Sequence, residues 1–522
     1  MNVICQITQL TQQFDAEPIF TDLSATLQTG LTGLVGRNGQ GKSVLMALLA
    51  QSFPPSSGSV QWFAPFYWVQ QLERVQGLRI ADALGVTALY DSWQRIQAGT
   101  ADDDDFAHFE EHWHLPAVWE QTLQAAGLAL PLDAAVHALS GGEQTRLALC
   151  RAFLQPEHYL LLDEPSNHLD AQGREWLLAK LQQHPAGALI ATHDRALLHN
   201  VERILELDQH GLHEYGGNYV LYKTSRDQQV AATEQQLAQL KRTREQQKRE
   251  QQASLEKAAQ RRQQGESYRR SGSQSALLLD ARKNRAEAGL GKLKQQHQQR
   301  NEQLNANLQS TQNRLEIIKP QTLRLAPKLA HQALCLHIAE LQLPYVQHVP
   351  LSLTVQQGER WHIQGSNGSG KSTLLRVIAG LETARSGSCE LHGSCIYLDQ
   401  DFSLLDAKLS ALANLERLHP TLSASTLRTE LAGLRLRGDK ALQPLSTLSG
   451  GERLKVALLA VLVGDTAPTL LLLDEPDNHL DLDSRLLLEQ TLADYAGALL
   501  LVSHDQAFVA QIGVEHYLSL QN

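Results

Sequence analysis

Two α/β domains in tandem, joined by a long α-helical hairpin: this is the architecture the sequence predicts, on three observations. A set of four motifs occurs twice, in the same order and at similar spacing, once in each half. Around the motifs, short apolar runs alternate with helical patterns, as buried parallel strands flanked by helices do. Between the two copies the composition shifts to Gln, Lys, Arg and Glu, and proline is absent from 224 until Pro320. At 522 residues the chain exceeds what one hydrophobic core serves, and roughly 100–200 residues per domain allows about three units. The boundaries drawn from these shifts are 1–223, 224–325 and 326–522.

Each outer domain opens on alternating apolar residues, Val3, Cys5 and Ile7 in one and Leu334, Leu336 and Ile338 in the other, which read as strands with one buried face. The continuous runs Tyr159–Leu162 and Leu470–Leu473 instead suit parallel strands buried on both faces. GRNGQGKS and GSNGSGKST have the form G-x-x-x-x-G-K-[ST]. One loop comprises Gly36, Arg37, Asn38, Gly39, Gln40, Gly41, Lys42 and Ser43. The other comprises Gly365, Ser366, Asn367, Gly368, Ser369, Gly370, Lys371, Ser372 and Thr373. Glycines let backbone N–H groups turn inward around phosphates at a helix N-terminus, where the dipole favours negative charge. Lys42 and Lys371 are then expected on the β/γ-phosphates, and the hydroxyls of Ser43 and Ser372 on Mg²⁺.

Further along, Asp163 and Asp474 each end an apolar strand, which places a carboxylate beside that metal. Glu164 and Glu475 follow, positioned to polarise an attacking water. The alternative is a pair of helix-capping acids, which two phosphate loops upstream make the weaker reading. His193 and His504 lie about 30 residues beyond the acidic pairs, after further apolar strands, and suit a γ-phosphate contact. LSGGEQ and LSGGER offer a serine hydroxyl and glycine amides before a helix, Ser140, Gly141 and Gly142 in one and Ser449, Gly450 and Gly451 in the other. Nothing within one half explains two anion sites so far apart.

With this combination the chain resembles the ATP-binding-cassette superfamily, and the fold class becomes two P-loop ATP-binding-cassette domains in tandem. The resemblance implies a head-to-tail sandwich in which the LSGG of one half closes the ATP held by the other. One site would join Gly36–Ser43, Gln70, Asp163, Glu164 and His193 with Ser449–Gly451. The other would join Gly365–Thr373, Gln400, Asp474, Glu475 and His504 with Ser140–Gly142. It also implies Mg²⁺ with ATP as cofactor, Gln70 and Gln400 at the metal, and hydrolysis of ATP to ADP and phosphate at both sites. Phe14 and Tyr345 are candidates for stacking on adenine, with ordinary packing as the equal alternative.

The middle segment reads as two helices folded back on each other, with sparse leucines (Leu237, Leu240; Leu304, Leu308, Leu315) forming a thin apolar stripe and a turn near 265–291. A disordered Gln-rich linker is the competing reading, against which the helix-favouring composition and Leu277–Leu279 at the turn both argue. Residues 223–328 hold 22 Lys/Arg against 10 Asp/Glu, whereas the whole chain carries a net charge of −10. A basic segment on an acidic body points to a polyanionic partner; a solvated helical face is the bland alternative.

DEPSNHLD (163–170), DEPDNHLD (474–481), the basic linker and EYGGNYVLYK (214–223) together resemble the ABC-F subfamily. That resemblance implies a cytoplasmic, monomeric ATPase whose halves pair within one chain. Residues 224–325 would meet a 70S-type ribosome at its E site and approach rRNA and the P-site tRNA, to regulate translation or to protect it from antibiotics. A fused nucleotide-binding subunit of a transporter is the alternative, and a nucleic-acid repair or chromosome ATPase a weaker one. No stretch reaches the roughly 18 apolar residues of a membrane span, so a transport role would need separate subunits. The first twenty residues lack the pattern of a signal peptide. Five scattered cysteines with no C-x-x-C pair read as buried thiols in a reducing compartment. One departure concerns spacing: Lys42 to Ser140 spans 98 residues and Lys371 to Ser449 only 78, which places a short insertion near 101–116 with an acidic DDDD tip.

Overall fold

The computed structural model describes residues 2–520 apart from 15–16, 71–77, 168, 271–294, 316–318, 320, 322, 324–332, 346–348, 367, 464–466 and 479, and apart from the side chains of 17, 255, 258, 261–262 and 265–270. Contacts group the chain into two compact units, Met1–Leu221 with Pro320–Asn522, and Tyr222–Lys319.

In the first unit the N-terminal half runs β1 (Val3–Phe14), β2 (Glu17–Gln28), β3 (Leu31–Val35), α1 (Lys42–Leu49), β4 (Ser57–Trp62) and β5 (Phe66–Val69). Helices α2 (Ile80–Leu84), α3 (Thr87–Ala98), α4 (Asp103–Phe109), α5 (Leu115–Ala125) and α6 (Gly141–Phe153) follow. It closes with β6 (Tyr159–Asp163), α7 (Ala171–Gln183), β7 (Ala188–Ala191), α8 (Arg195–Leu198), β8 (Arg203–Asp208) and β9 (Gly211–Gly216). Helix α9 (Tyr219–Arg270) starts in the first unit and runs on into the second, which also holds α10 (295–315). The C-terminal half repeats the plan: β10 (Leu334–Gln342), β11 (Leu351–Gln356), β12 (Arg360–Gln364), α11 (Lys371–Ile378), β13 (Ser386–Leu391) and β14 (Cys395–Leu398). Then come α12 (Ala411–Leu418), α13 (Ala424–Gly433), α14 (Gly450–Leu462), β15 (Leu470–Asp474), α15 (Leu482–Ala493), β16 (Ala498–Val502), α16 (Gln506–Ile512) and β17 (His516–Ser519).

Strand order among the described residues is β5-β6-β7-β3-β8-β9 in one half and β14-β15-β16-β12-β17 in the other. Apart from the antiparallel β8–β9 pair, these sheets are parallel. β6, β15 and β16 are buried at every residue, as the uninterrupted leucine runs predict. The alternating N-terminal segments form separate antiparallel sheets, β2-β1-β4 and β11-β10-β13. α1 packs between the two sheets of its half: Leu45, Met46, Leu48 and Leu49 share a core with Cys5, Ile7 and Leu10 from one sheet and Leu161, Leu189 and Leu205 from the other. At about 1.5–3 kcal/mol for each buried side chain, that anchoring fixes the helix whose first residue is Lys42. Leu374, Leu375 and Ile378 do the same for α11.

The insertion near 101–116 is folded, and its acidic run is not a free tip. Asp102 caps α4 by accepting from Asp105 N–H, and Asp105 turns inward to Arg95 at 2.5 Å. The Arg95 guanidinium holds the Asp105 carboxyl well below the usual carboxylate range. Phe109 is fully buried, its ring 5.5 Å from both Trp93 and Trp113.

The second unit is an antiparallel helical pair. Leu237, Leu304 and Leu308 are buried together, flanked by Leu240 and Leu315, which are the stripe positions read from the sequence. Lys319 pairs with Glu234 at 2.7 Å and Asn301 with Gln251 at 3.3 Å, so numbering falls along α10 as it rises along α9. The 52 residues of α9 span roughly 80 Å at about 1.5 Å per residue. The helix continues through Gly265 to Arg270, past the expected start of the turn. The rest of that turn, Leu277–Leu279 included, lies outside the described residues.

Candidate active sites

Each phosphate loop links a strand of the parallel sheet to the helix held between the sheets. Gly41 and Gly370 precede α1 and α11 at φ 91 and 89, a left-handed conformation glycine adopts without strain. A methyl group on Gly41 would collide with Ile19. Neither residue caps its helix through a side chain, which leaves first-turn N–H groups for an anion. Lys42 Nζ donates to the carbonyls of Gly36 (2.7 Å) and Arg37 (3.3 Å), and Lys371 Nζ to those of Gly365 (2.9 Å) and Ser366 (3.0 Å). Asn367, the counterpart of Asn38, lies outside the described residues.

At the foot of each loop a hydroxyl meets the carboxylate that ends the neighbouring strand, Ser43 with Asp163 and Ser372 with Asp474. Burial pushes both carboxyls up, and these hydroxyls partly offset it. Tyr397 also donates to Asp474 Oδ2 at 3.0 Å, while Asp474 Oδ1 is buried with no hydrogen-bond partner among the described residues. A hydroxyl beside one carboxylate fits Mg²⁺, which takes few protein oxygens and completes its shell with phosphates and water.

Glu164 and Glu475 sit one residue past their strands at φ 50 and 49, a strained region for a side chain of this size. Their N–H groups continue the sheet by donating to Ala191 and Val502 carbonyls, so each carboxylate is aimed by the strand before it. His193 Nε2 lies 3.4 Å from Glu164 Oε1, and His504 Nε2 3.3 Å from Glu475 Oε1. The two sites differ in polarity. Burial pushes Glu164 up to about 7, with Lys42 opposing. Burial also drives the His193 imidazole well below its usual value, with Lys42 and Arg485 adding to it, which favours the uncharged ring. Burial acts on Glu475 too, but His504, Asn478 and Lys371 outweigh it and hold the carboxylate below its usual value. Asn478 and Gln400 each donate to Glu475 Oε2, at 2.5 and 2.7 Å. Gln70 is exposed at the end of β5, and no such bond to Glu164 is present among the described residues.

Ser140 and Ser449 cap α6 and α14, each in a reciprocal box with the glutamate three residues on (Glu143, Glu452). This structural use of S-G-G-E was not read from the sequence. It leaves the glycine amides at the helix start. Gly451 is buried against Ser484, where a Cβ would approach within 2.6 Å of the hydroxyl. Gly141 is exposed.

The halves meet across these motifs. Asp481, which caps α15, accepts from Asn38 N–H at 3.1 Å, and Asp483 pairs with Arg37 at 2.8 Å. A Cβ on Gly451 would lie 3.9 Å from Asp481, and Lys455, also on α14, feels the charges of both Asp481 and Arg37. Burial lowers both loop lysines, against the carboxylates around them: Glu164, Asp481 and Asp163 at Lys42, and Glu475, Asp474 and Asp170 at Lys371. The charge of an aspartate from the opposite half therefore acts on each lysine. Asp170 and Asp481 end the NHLD strings quoted from the sequence but were assigned no role there; their recurrence next to each acidic pair was the available signal. Phe14 is half-exposed, tilted against Phe53 at 6.2 Å, and Tyr345 is 94% exposed.

Comparison with known proteins places the fold in a family. A family profile described as "ABC transporter" matches residues 20–167 and 349–478. The probable ATP-binding protein YheS of Haemophilus influenzae is 31% identical over 93% of this chain and 74% of its own length. The ribosome protection protein VmlR of Bacillus subtilis is 28% identical over 98% and 85%. The energy-dependent translational throttle protein EttA of Mycobacterium tuberculosis is 29% identical over 94% and 87%. Among solved structures, the archaeal ribosome recycling factor aABCE1, in complex with the ribosomal stalk protein aP1, shares the fold at a TM-score of 0.56 and 16% identity, over 98% of this chain and 87% of its own. No described helix is long and apolar enough to cross a membrane. With two cassettes in tandem, a helical linker between them and these relatives, the chain belongs to the ABC-F subfamily of the ATP-binding-cassette superfamily.

Proposed function

We propose that the protein is a cytoplasmic ATPase that binds two Mg²⁺–ATP between its halves and, while closed, holds its linker on the ribosome. Lys42 and Lys371 neutralise the β/γ-phosphates, and Ser43 with Asp163 and Ser372 with Asp474 hold the metal, which shields the charge of the transferred phosphoryl group. Glu164 and Glu475 orient the attacking water, and His193 and His504 approach the γ-phosphate. Gln70 and Gln400 would approach the metal, and Ser449–Gly451 and Ser140–Gly142 cover the nucleotide from the opposite half. The observation that carries this reading is the reach of Asp481 and Asp483 from one half to the phosphate loop of the other.

Two relatives whose names concern the ribosome or translation support a ribosomal partner; in this proposal the linker enters the E site towards the P-site tRNA, to regulate translation or protect it from antibiotics. Lys241, Arg242, Arg244, Lys248 and Arg249 are exposed on α9 and suit rRNA phosphates. Glu164→Gln combined with Glu475→Gln should bind ATP without turning it over, and should co-sediment with ribosomes in ATP but not in ADP. Equal pelleting in both nucleotides refutes the proposal.

A further inference from the structure

Asp481, the cap of α15, and Arg485 and Glu489 within the helix recur every four residues and so lie along one side of it. Each reaches the first half. Asp481 accepts from Asn38, Arg485 donates to the His193 carbonyl at 3.4 Å, and Glu489 receives Arg195 at 2.8 and 3.0 Å. Arg195 stands two residues after His193 and is buried. Its guanidinium also lies over the ring of Tyr219, 5.6 Å from the centroid. Tyr219 is buried, packs edge-on against His199 at 5.4 Å, and is the first residue of α9. One side chain thus touches the other half and the first turn of the linker helix, next to the segment that carries His193.

The mirror position lacks this device. The residue two after His504 is Gln506, and the residue that corresponds to Glu489, counted from the capping aspartate, is Leu178. We propose that Arg195 is a positioning residue through which closure of the Lys42 site, and not of the Lys371 site, is passed to the root of the linker. Opening the interface withdraws Glu489, and Arg195 loses the carboxylate that holds it over Tyr219. A buried guanidinium without that partner has to move towards other acceptors or water, which frees the ring at the helix start. The two ATP sites then have different consequences although both keep their phosphate loop, acidic pair and histidine.

This inference rests on closure by ATP but not on the ribosome, and its test involves no ribosome. Amide hydrogen exchange is followed in the full chain with and without a non-hydrolysable ATP analogue and Mg²⁺. In the wild type, protection should rise at both phosphate loops and, by about tenfold, at 220–226. In Arg195→Gln and in Glu489→Leu, the residues of the mirror position, the loops should still respond while the change at 220–226 falls below about twofold. The charge exchange Arg195→Glu with Glu489→Arg should restore most of it. If the loops respond and 220–226 responds equally in Arg195→Gln, the inference is overturned while closure stands. If the wild-type loops do not respond, closure itself fails and the inference with it.

Discussion

Replacing Arg37 by serine and Asp483 by glutamine rewrites one contact between the halves into its mirror, because the corresponding residues of the repeat are Ser366 and Gln172. The pair is close, at 2.8 Å, and its side chains are 26% and 9% exposed. Two unit charges about 4 Å apart attract by about 4 kcal/mol at an effective dielectric of about 20, and desolvation returns much of that. A charge-assisted hydrogen bond is left with a net value of about 1.5–3 kcal/mol, or roughly 10- to 150-fold in the closure equilibrium. Because apparent affinity includes the fraction of closed molecules, competition titration of ATP against a fluorescent analogue reads this number. The background is the full chain carrying Glu164→Gln and Glu475→Gln, so that nothing is hydrolysed. Asp483→Gln alone should weaken binding, Arg37→Ser alone should weaken it further by depriving a largely buried carboxylate of the guanidinium beside it, and the double variant should cost less than the two singles together. A coupling energy below about 0.5 kcal/mol would show that the pair does not hold the halves and would refute the reasoning.

Two other predictions concern the linker and the insertion. Replacing Lys241, Arg242, Arg244, Lys248 and Arg249 by glutamine should weaken ribosome pelleting and flatten its salt dependence by about 0.7–0.9 slope units for each phosphate no longer neutralised, with ATPase activity in the absence of ribosomes unchanged. An unchanged slope would mean that these cations only solvate the helix. Phe109→Ala should destabilise the first half by about 3–5 kcal/mol in thermal unfolding, whereas Phe106→Ala, at a half-exposed position of the same short helix, should change stability by less than about 0.5 kcal/mol. Equal effects would mean that α4 is not packed as described.

What was legible in the sequence is what repeats or is locally patterned. Leucine runs such as 470–473 have few alternatives to a buried parallel strand, and glycines before a lysine and a serine dictate a turn into a helix. The leucine stripe of the hairpin emerged for the same reason, since Leu237 with Leu240, and Leu304 with Leu308, obey helical spacing. Contacts between distant residues were not legible. Arg37 with Asp483 and Arg195 with Glu489 join positions more than 290 apart, and no local period marks them. They become visible only when the halves are laid over each other and the charged residue of one meets a neutral one of the other. The acidic run at 102–105 misled for a related reason: charge alone suggested solvent, while Arg95 within reach makes Asp105 an interior residue. The opposite behaviour of Glu164 and Glu475 was equally hidden, because nearly identical strings of residues bring different partners to the two carboxylates.

That each half completes the other's ATP site is tested most directly by Ser449→Arg. The full chain is photolabelled with an azido-ATP under conditions that trap the closed state, cleaved in the linker, and the label on each half is counted. Gly451 and Lys455 lie beside Asp481, which touches Asn38, so an arginine at 449 should obstruct the nucleotide held by Lys42. Trapped label on the N-terminal half should fall by about tenfold or more, while label on the C-terminal half stays within about twofold. Loss confined to the C-terminal half, or label on the N-terminal half at the wild-type level, would contradict the account.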